Sequence, residues 1–220
     1  MKPSPQLHTS TVTKQLKSIL DNLMKEDLFS PFVLVGGTNL SLRFGHRMSD
    51  DIDLFTESDY GSLDYESMEH YLSETYPYYD CPGWDPIVGF GRSYYIGEDE
   101  MNCVKLDLMY TDKFISPVDE IEGVRMASIN DIVAMKMDVI SRIGRKKDFW
   151  DIHLLHDYFS LSDMINIHEK RYEWTHDRQE IITNLTNFQN ADNDPDPRCI
   201  LGKDWDLIKL DIIDWTKELL

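Results

Sequence analysis

The sequence predicts an α+β protein in which a mixed β-sheet flanked by helices is followed by a helical C-terminal region. Two observations support this class. Short apolar runs with strand character, interrupted by glycine and proline, fill the first 125 residues, and helical spacing of apolar residues prevails from about residue 126. We therefore expect an α/β domain over residues 1–125 and a helical domain over residues 126–220.

Composition narrows the class of protein further. With 220 residues, of which 41% are hydrophobic, the chain can bury the core of one compact domain or two small ones. Its three cysteines are far apart and lack metal-ligand spacing, so reduced thiols are expected. No apolar run approaches the roughly eighteen residues of a membrane span. We expect a cytoplasmic protein that has no membrane partner.

The elements of the first domain follow from local patterns. Apolar residues at helical spacing predict a leading helix, and buried apolar runs predict two strands before a second helix. Two further strand patterns, separated by Gly97-Glu98-Asp99-Glu100, predict a β-hairpin. In chain order these elements occupy residues 12–23, 32–35, 51–55 and 68–72, with the hairpin arms at 86–96 and 101–110.

Two glycines directly after the first strand predict a phosphate-binding turn. Gly36 and Gly37 lack a Cβ, so the chain can turn tightly and bring backbone N–H groups close to an anion. A helix that begins near Thr38 would direct its unpaired N–H groups at the phosphates, and the Thr38 hydroxyl would add a donor. We expect this loop to cradle a triphosphate.

The second strand carries acids two positions apart. Because side chains alternate along a strand, Asp51 and Asp53 share one face while Ile52 and Leu54 point into the core. Two parallel carboxylates suit Mg2+, which takes oxygen ligands and bridges protein to phosphate. This spacing is common in a chain with 40 acidic residues, so its position after the glycine turn is what makes it informative. The plain alternative is a solvated pair of acids on an edge strand.

Asp107 is the candidate for a third carboxylate. It lies in the middle of the second hairpin arm, where an acid among apolar neighbours requires a cation or hydrogen bonds for compensation. One interpretation is a metal ligand or general base, and the other is an exposed acid on the outer face.

The second domain begins with two helices. Ser128 and the acid three residues later have capping-box spacing, and the helix they open contains Lys136 and ends at Gly144. A second helix starts at Asp148, which shares a face with Asp151. From these residues alone, Lys136 is equally well interpreted as a surface lysine. The two acids are also explained by the preference for negative charge in the first turn of a helix.

The last segment has apolar residues at alternating steps of four and three. This stripe predicts a helix packed into the core, although an interface with a partner protein or with a second copy of the chain has the same spacing. Its members are Leu201, Trp205, Ile208, Ile212, Trp215 and Leu219. The acidic stretch that precedes it, residues 192–197, is expected to face solvent, and contact with a basic partner is the alternative.

Three stretches together resemble the AbiEii/AbiGii toxin family, which belongs to the nucleotidyltransferase superfamily with the DNA polymerase β type fold. They are Gly36-Gly37-Thr38-Asn39-Leu40-Ser41-Leu42-Arg43, then Gly45-His46-Arg47-Met48-Ser49-Asp50-Asp51-Ile52-Asp53-Leu54-Phe55, then Lys136 and Arg142 ahead of Lys147-Asp148-Phe149-Trp150-Asp151. The resemblance implies a nucleotidyltransferase fold and Mg2+-dependent transfer of a nucleotide from an NTP. It also implies a role in a bacterial toxin–antitoxin or phage-defence system, with an antitoxin partner and, in some members, a tRNA acceptor.

Carried over residue by residue, the resemblance implies a role for each candidate. The implied catalytic residues are Asp51, Asp53, Asp107, Lys136, Asp148 and Asp151, and the implied metal ligands are Asp51, Asp53 and Asp107. The implied nucleotide-binding residues are Gly36, Gly37, Thr38, Arg47, Ser49, Lys136 and Lys147. Of the three acids, Asp107 has the least distinctive flanking sequence.

Net charge bears on the choice of acceptor. At a formal charge of −18 the surface as a whole repels polyanions, whereas nucleic-acid binders usually present a basic face. Short basic clusters at residues 43–47 and 142–147 would focus the field locally. Two alternatives to a tRNA acceptor therefore stay open. One is a nucleotidyltransferase acting on a small cationic molecule such as an aminoglycoside, and the other is a non-catalytic module that holds a nucleotide or a partner.

Overall fold

The computed structural model describes residues 6–82 and 90–219. Within these residues the chain forms seven strands and eight α-helices, which confirms the predicted α+β class. The strands are β1 (Val33–Leu34), β2 (Asp51–Thr56), β3 (Tyr78–Asp80), β4 (Gly91–Asp99), β5 (Asn102–Tyr110), β6 (Asp119–Ile121) and β7 (Val124–Met126). The helices are α1 (Lys14–Lys25), α2 (Gly36–Phe44), α3 (Tyr65–Thr75), α4 (Ile129–Ile143), α5 (Lys146–Leu155), α6 (Leu161–Arg171), α7 (Arg178–Leu185) and α8 (Trp205–Lys217).

The seven strands join one mixed sheet in the order β3-β4-β5-β2-β1-β7-β6. β2 runs parallel to β5 and β1 runs parallel to β7, whereas the other neighbouring strands are antiparallel. β2 lies between β5 and β1, in the middle of the sheet. The edge-strand interpretation of its two acids is therefore wrong.

Apolar residues cover both faces of this sheet. One core lies between the sheet and helices α1 and α3, and a second core on the other face contains residues of α2 and of α4 to α8. Ile52 and Leu54 are fully buried in the first core, as predicted. Because side chains alternate along β2, Asp51 and Asp53 point to the opposite side, toward the C-terminal helices.

The hairpin closes later than predicted. β4 continues through Asp99, so the turn is Glu100-Met101 rather than residues 97–100. The Asp99 carboxylate accepts hydrogen bonds from the backbone N–H groups of Met101 and Asn102, each at 2.9 Å, which stabilises the turn at this place. Residues 86–89 of the predicted first arm lie outside the described residues.

Two helices also begin earlier than predicted. α2 starts at Gly36 instead of near Thr38, and α5 starts at Lys146 instead of Asp148. The Asp148 carboxylate instead caps α5, because it accepts a hydrogen bond at 3.1 Å from the backbone N–H of Arg145. The glycine turn and the first turn of α2 are consequently the same piece of chain.

The C-terminal stripe is mostly core. Trp205, Ile208 and Ile212 of α8 are buried as predicted, whereas Leu201 precedes the helix and is 52% exposed. The predicted domain boundary at residue 125 falls inside β7, which completes the sheet by pairing with β1, and the division at that residue stays a prediction. In the part of the chain that the structure describes, no helix has both the length and the apolar character to cross a membrane.

Candidate active site

The parallel register of β2 and β5 places three acids on one face of the sheet. Asp53 lies beside Asp107, and Asp51 lies beside Lys105. The Lys105 ammonium pairs with Oδ2 of Asp107. The other oxygen, Asp107 Oδ1, is buried and accepts no hydrogen bond from any residue that the structure describes. A buried carboxylate oxygen in this state favours a nearby cation or proton donor.

Asp53 is the acid whose protonation is most clearly changed by its surroundings. Burial raises its pKa to about 6, and the Asp107 and Asp51 carboxylates act in the same direction. Gly36, which has a φ of 69°, passes close to this side chain, since a Cβ at Gly36 would lie 2.2 Å from Asp53 Oδ2. Only a glycine lets the turn backbone and the acid approach in this way.

The three carboxylates do not form a ready-made cage. Among residues 6–82 and 90–219, no group of three His, Cys, Asp or Glu side chains is arranged to hold one ion by itself. The donors nevertheless suit a hard cation, because they are carboxylate oxygens, and burial together with the charges of Asp107 and Asp51 raises the pKa of Asp53. Such a set fits Mg2+, which proteins usually hold through one or two carboxylates together with substrate phosphates.

Thr38 and Ser49 lie beneath the glycine turn. The Thr38 hydroxyl donates to the backbone carbonyl of Asp51 and lies 2.8 Å from the Ser49 hydroxyl oxygen. Both side chains are buried. The structure therefore places these two predicted nucleotide-binding residues where they fasten the first turns of α2 to the start of β2. This contact holds the glycine turn and the acids in a fixed relation.

Asp151 lies at the centre of a buried network of charges. Its carboxylate accepts hydrogen bonds from Arg47 Nε at 2.7 Å, from Arg47 Nη2 at 2.8 Å and from His46 Nε2 at 2.8 Å. Lys136 Nζ lies 2.7 Å from the same carboxylate. Burial alone would raise the pKa of Asp151, but Arg47 and Lys136 hold it well below its usual range. Asp151 is thus ionised and fully buried.

Lys136 connects this network to the glycine turn. Its Nζ lies 2.8 Å from Asp148 Oδ1 in addition to its contact with Asp151. Burial would lower the pKa of Lys136, but these two carboxylates raise it above its ordinary value, so the ammonium group stays charged. Lys136 lines the same cavity as Gly36 and Asp53 and counteracts the rise in the Asp53 pKa.

Arg47 supports the second glycine of the turn. A Cβ at Gly37 would lie 2.3 Å from Arg47 Nη2. Arg47 Nη1 donates to the carbonyl of Met48 at 3.0 Å, and the residue is only 3% exposed. The structure therefore places Arg47 under the turn, where its guanidinium is held by Asp151 and by backbone.

Two cavities meet at the start of α5. A cavity of about 230 Å3 lies between the glycine turn and α4, and its walls include Asp53 and Lys136. A second cavity of about 320 Å3 lies beside the start of β2, against residues 194–198. Arg145 and Lys147 line both cavities, and Lys147 Nζ lies 3.3 Å from Asp51 Oδ2. Each cavity reaches one of the acids, since Asp51 lines the larger cavity and Asp53 lines the smaller one.

The C-terminal segment 194–198 is a part of the site that the sequence did not predict. Asp196 is exposed, as the composition predicts, but Lys146 Nζ also lies 2.9 Å from it, and the backbone N–H of Lys146 donates to Asp194 at 3.0 Å. These contacts compensate the positive charge in the first turn of α5, where the helix dipole disfavours lysine. No local pattern signals this long-range pairing.

Two further side chains of the site, Lys105 and His46, were not predicted from the sequence. Lys105, the partner of Asp107, lies two residues before it on β5, and strand alternation alone indicates that the two share a face. His46 donates to Asp151, and burial lowers the pKa of His46, so its ring is neutral at pH 7. Nothing in the sequence near His46 indicates this contact, because its partner is 105 residues away.

Comparison of the sequence with known proteins found a matching family model and a related protein sequence. The family model for the nucleotidyl transferase AbiEii toxin of type IV toxin–antitoxin systems matches residues 18–214. The uncharacterized protein aq_aa25 of Aquifex aeolicus (strain VF5) is 27% identical over 183 residues, which cover 81% of this chain and 84% of that protein.

Solved structures share the fold. JHP933 from Helicobacter pylori has a TM-score of 0.53 at 15% identity, over 92% of this chain and 88% of that chain. MenT4, a nucleotidyltransferase toxin from Mycobacterium tuberculosis H37Rv, has a TM-score of 0.59 at 11% identity, over 92% of this chain and 83% of that chain. At these identities the likeness concerns the fold alone.

Proposed function

This chain belongs to the AbiEii nucleotidyl transferase toxin family, and we propose that it moves a nucleotide from an NTP to the terminal hydroxyl of a tRNA with the help of Mg2+. The observation that carries the proposal is the setting of Asp53. This acid touches the glycine turn, lies beside Asp51 and Asp107, and has a pKa raised to about 6. Crowded carboxylates against a helix N-terminus favour a cation and the phosphates that it bridges.

Asp51 and Asp53 are the proposed ligands of Mg2+, and Asp107 lies beside them. When bound, the ion supplies positive charge that activates the acceptor hydroxyl and offsets the charge of the departing pyrophosphate. The backbone N–H groups at Gly36 and Gly37 bind the phosphates. Lys136, held by its two carboxylates, adds positive charge to the same cavity.

The transfer itself exchanges one phosphorus–oxygen bond for another. The acceptor oxygen attacks the α-phosphorus of the NTP, the bond to the bridging oxygen breaks, and pyrophosphate leaves with the electron pair. Asp107 Oδ1, which has no hydrogen-bond donor among the described residues, accepts the hydroxyl proton. Asp148 and Asp151 hold Lys136 and Arg47 in place and act as positioning residues.

Replacement of both Asp51 and Asp53 by asparagine tests their assignment as metal ligands. The D51N/D53N variant keeps the shape of both side chains but removes the proposed ligands, so we expect transfer to fall by more than about a hundredfold. The assay follows α-labelled NTPs incubated with Mg2+ and separate pools of tRNA, protein and aminoglycosides. The D157N/D214N variant, which changes two exposed acids of the C-terminal region, is the matched control.

Each outcome of this assay decides between functions. Label on RNA that is lost in D51N/D53N and kept in the control supports the proposal. NTP binding without transfer to any pool indicates a non-catalytic module. Full activity in D51N/D53N would sink the proposed metal site.

A small cationic acceptor is the second candidate. The cavity beside Asp51 is walled by the carboxylates of Asp50, Asp194 and Asp196. The same cavity is also lined by Arg145, Lys147 and Arg198, so its wall carries both signs, and the formal charge of −18 of the whole chain is what favours a cation over a polyanion. Label on the aminoglycoside pool would establish this alternative.

A further inference from the structure

The first 25 residues reverse the charge of the rest of the chain. They contain four lysines and one acid, a balance of +3, whereas the other residues contain 18 basic and 39 acidic side chains, a balance of −21. The three of these lysines that the structure describes, Lys14, Lys17 and Lys25, line neither cavity of the candidate active site. Segregation of positive charge in so acidic a chain indicates an anionic partner for this part of the surface.

The lysines of α1 border a long groove on the surface. The groove has a volume of about 740 Å3 and is lined by Lys14, Lys17 and Lys25 and by polar side chains that include Ser10, Thr13 and Asn22. Lys17 pairs with Asp21 at 2.6 Å. Lys14 and Lys25 are exposed and form no ion pair with a described residue. They stand eleven residues apart, roughly 16 Å along the helix axis.

The groove begins beside the candidate active site. The backbone N–H of Ser49 donates at 2.9 Å to the carbonyl of Thr11, in the short turn that leads into α1. Ser49 is two residues before Asp51 and also lines the cavity of about 320 Å3. The Gln15 amide of α1 donates at 2.8 Å to the carbonyl of Asn102, where β5 begins, so α1 is also attached to the strand that carries Asp107. A chain lying in the groove would therefore lead toward the acids.

We propose that the α1 groove is the docking surface for the sugar–phosphate backbone of an RNA acceptor, an inference that rests on the proposed function for its place in the reaction. Lysine ammonium groups bind phosphates and release counterions. Hydroxyl and amide side chains bind phosphate oxygens and ribose hydroxyls. The groove thus attracts a polyanion that the remaining surface repels, and it directs the end of that polyanion toward Asp51.

The character of α1 favours RNA over an anionic membrane. Helices that lie on membranes insert apolar side chains next to their lysines. In α1 the apolar residues Leu16, Leu20 and Leu23 are buried against the sheet, so the side chains that border the groove are mostly polar.

Charge reversal at the two unpaired lysines tests the inference. We expect the K14E/K25E variant to bind a fluorescein-labelled hairpin RNA with a single-stranded 3′ end at least about tenfold more weakly than the wild type at about 50 mM salt. The slope of log K against log salt should fall by about 1.4 to 1.8, because each lost phosphate contact removes roughly 0.7 to 0.9. Fluorescence anisotropy in EDTA, without NTP, measures both quantities.

The control variant K170E/K217E reverses two exposed lysines on α6 and α8, with the same change in net charge. Unchanged RNA affinity in K14E/K25E, or an equal loss in the control, would overturn the inference. So would wild-type protein that binds phosphatidylserine-containing vesicles but not the RNA. Because this assay involves no catalysis, its result is independent of D51N/D53N, and either proposal can fail while the other stands.

Discussion

Asp53 couples the site to pH through its raised pKa. Since the folded-state pKa of about 6 lies above the ordinary 3.8, the folded protein binds this proton more tightly than the unfolded chain does. The resulting stabilisation is complete below pH 3.8 and is lost as the pH rises through about 6. Asparagine at this position is neutral at every pH and avoids that loss.

We therefore expect D53N, in EDTA, to become more stable than the wild type as the pH rises through about 6. The gain in unfolding free energy relative to the wild type is at most about 3 kcal/mol. Solvent screening of the partly exposed carboxylate reduces it. Urea unfolding across this pH range measures it. Mg2+ should then stabilise the wild type, but not D53N, above pH 6. Identical pH dependence of the two proteins would contradict the assignment.

Asp151 illustrates the opposite case, an acid that its surroundings keep ionised. It is the shared partner of Arg47 and Lys136, so its neutralisation leaves two buried cations with weaker compensation. We expect D151N to lose about 3–5 kcal/mol of unfolding free energy at pH 7, the usual effect of breaking a buried ion pair. Chemical denaturation measures this loss.

Asp157, an exposed acid shortly after α5, supplies the control for this change. D157N should stay within about 0.5 kcal/mol of the wild type, as most surface substitutions do. A D151N protein as stable as D157N would show that the buried network contributes little to the fold.

At the scale of single elements, the first turn of α2 depends on contact between backbone and Arg47. A Cβ at Gly37 would lie 2.3 Å from Arg47 Nη2, and that guanidinium cannot move aside freely because Asp151 holds it with two hydrogen bonds. We expect G37A to weaken NTP binding and to lower the unfolding free energy by about 1–3 kcal/mol, as overpacking does.

Isothermal titration with NTP and chemical denaturation measure the two effects of G37A. S41A, on the same helix, is the matched control, because the Ser41 hydroxyl has no hydrogen-bond partner among the described residues. If G37A bound NTP as S41A does, Arg47 would not be the support of the turn.

At the scale of the whole molecule, the chain returns near its end to the segment that precedes β2. The backbone N–H of Met48 donates to the carbonyl of Arg198 at 2.9 Å, and Arg47 and Cys199 form an isolated β-bridge. Trp205 of α8 stacks on Trp150 of α5, with ring centroids 5.9 Å apart. The candidate site is therefore assembled from the sheet, from α4 and α5, and from the segment before α8. The lysines of α1 lie outside this assembly, along the groove that begins beside it.

Much of the fold and part of the site could be predicted from local sequence. The Ser128 cap, the end of α4 at Gly144 and the buried face of α8 follow rules that act over one or two turns, and each is found in the structure. The hairpin turn was misplaced because Asp99 closes it through its side chain, a preference that competes with the glycine signal.

The sequence by itself determined the strands and helices that carry the candidate site, the shared face of Asp51 and Asp53, and the glycine turn before them, because strand alternation and the missing Cβ are local properties. Only the tertiary structure decided that Asp53 lies beside Asp107 and that Asp151 joins Arg47 across 104 residues. Pairings over such separations leave no periodic signal in the sequence, and the energy of a buried charge depends on which partner the fold brings to it.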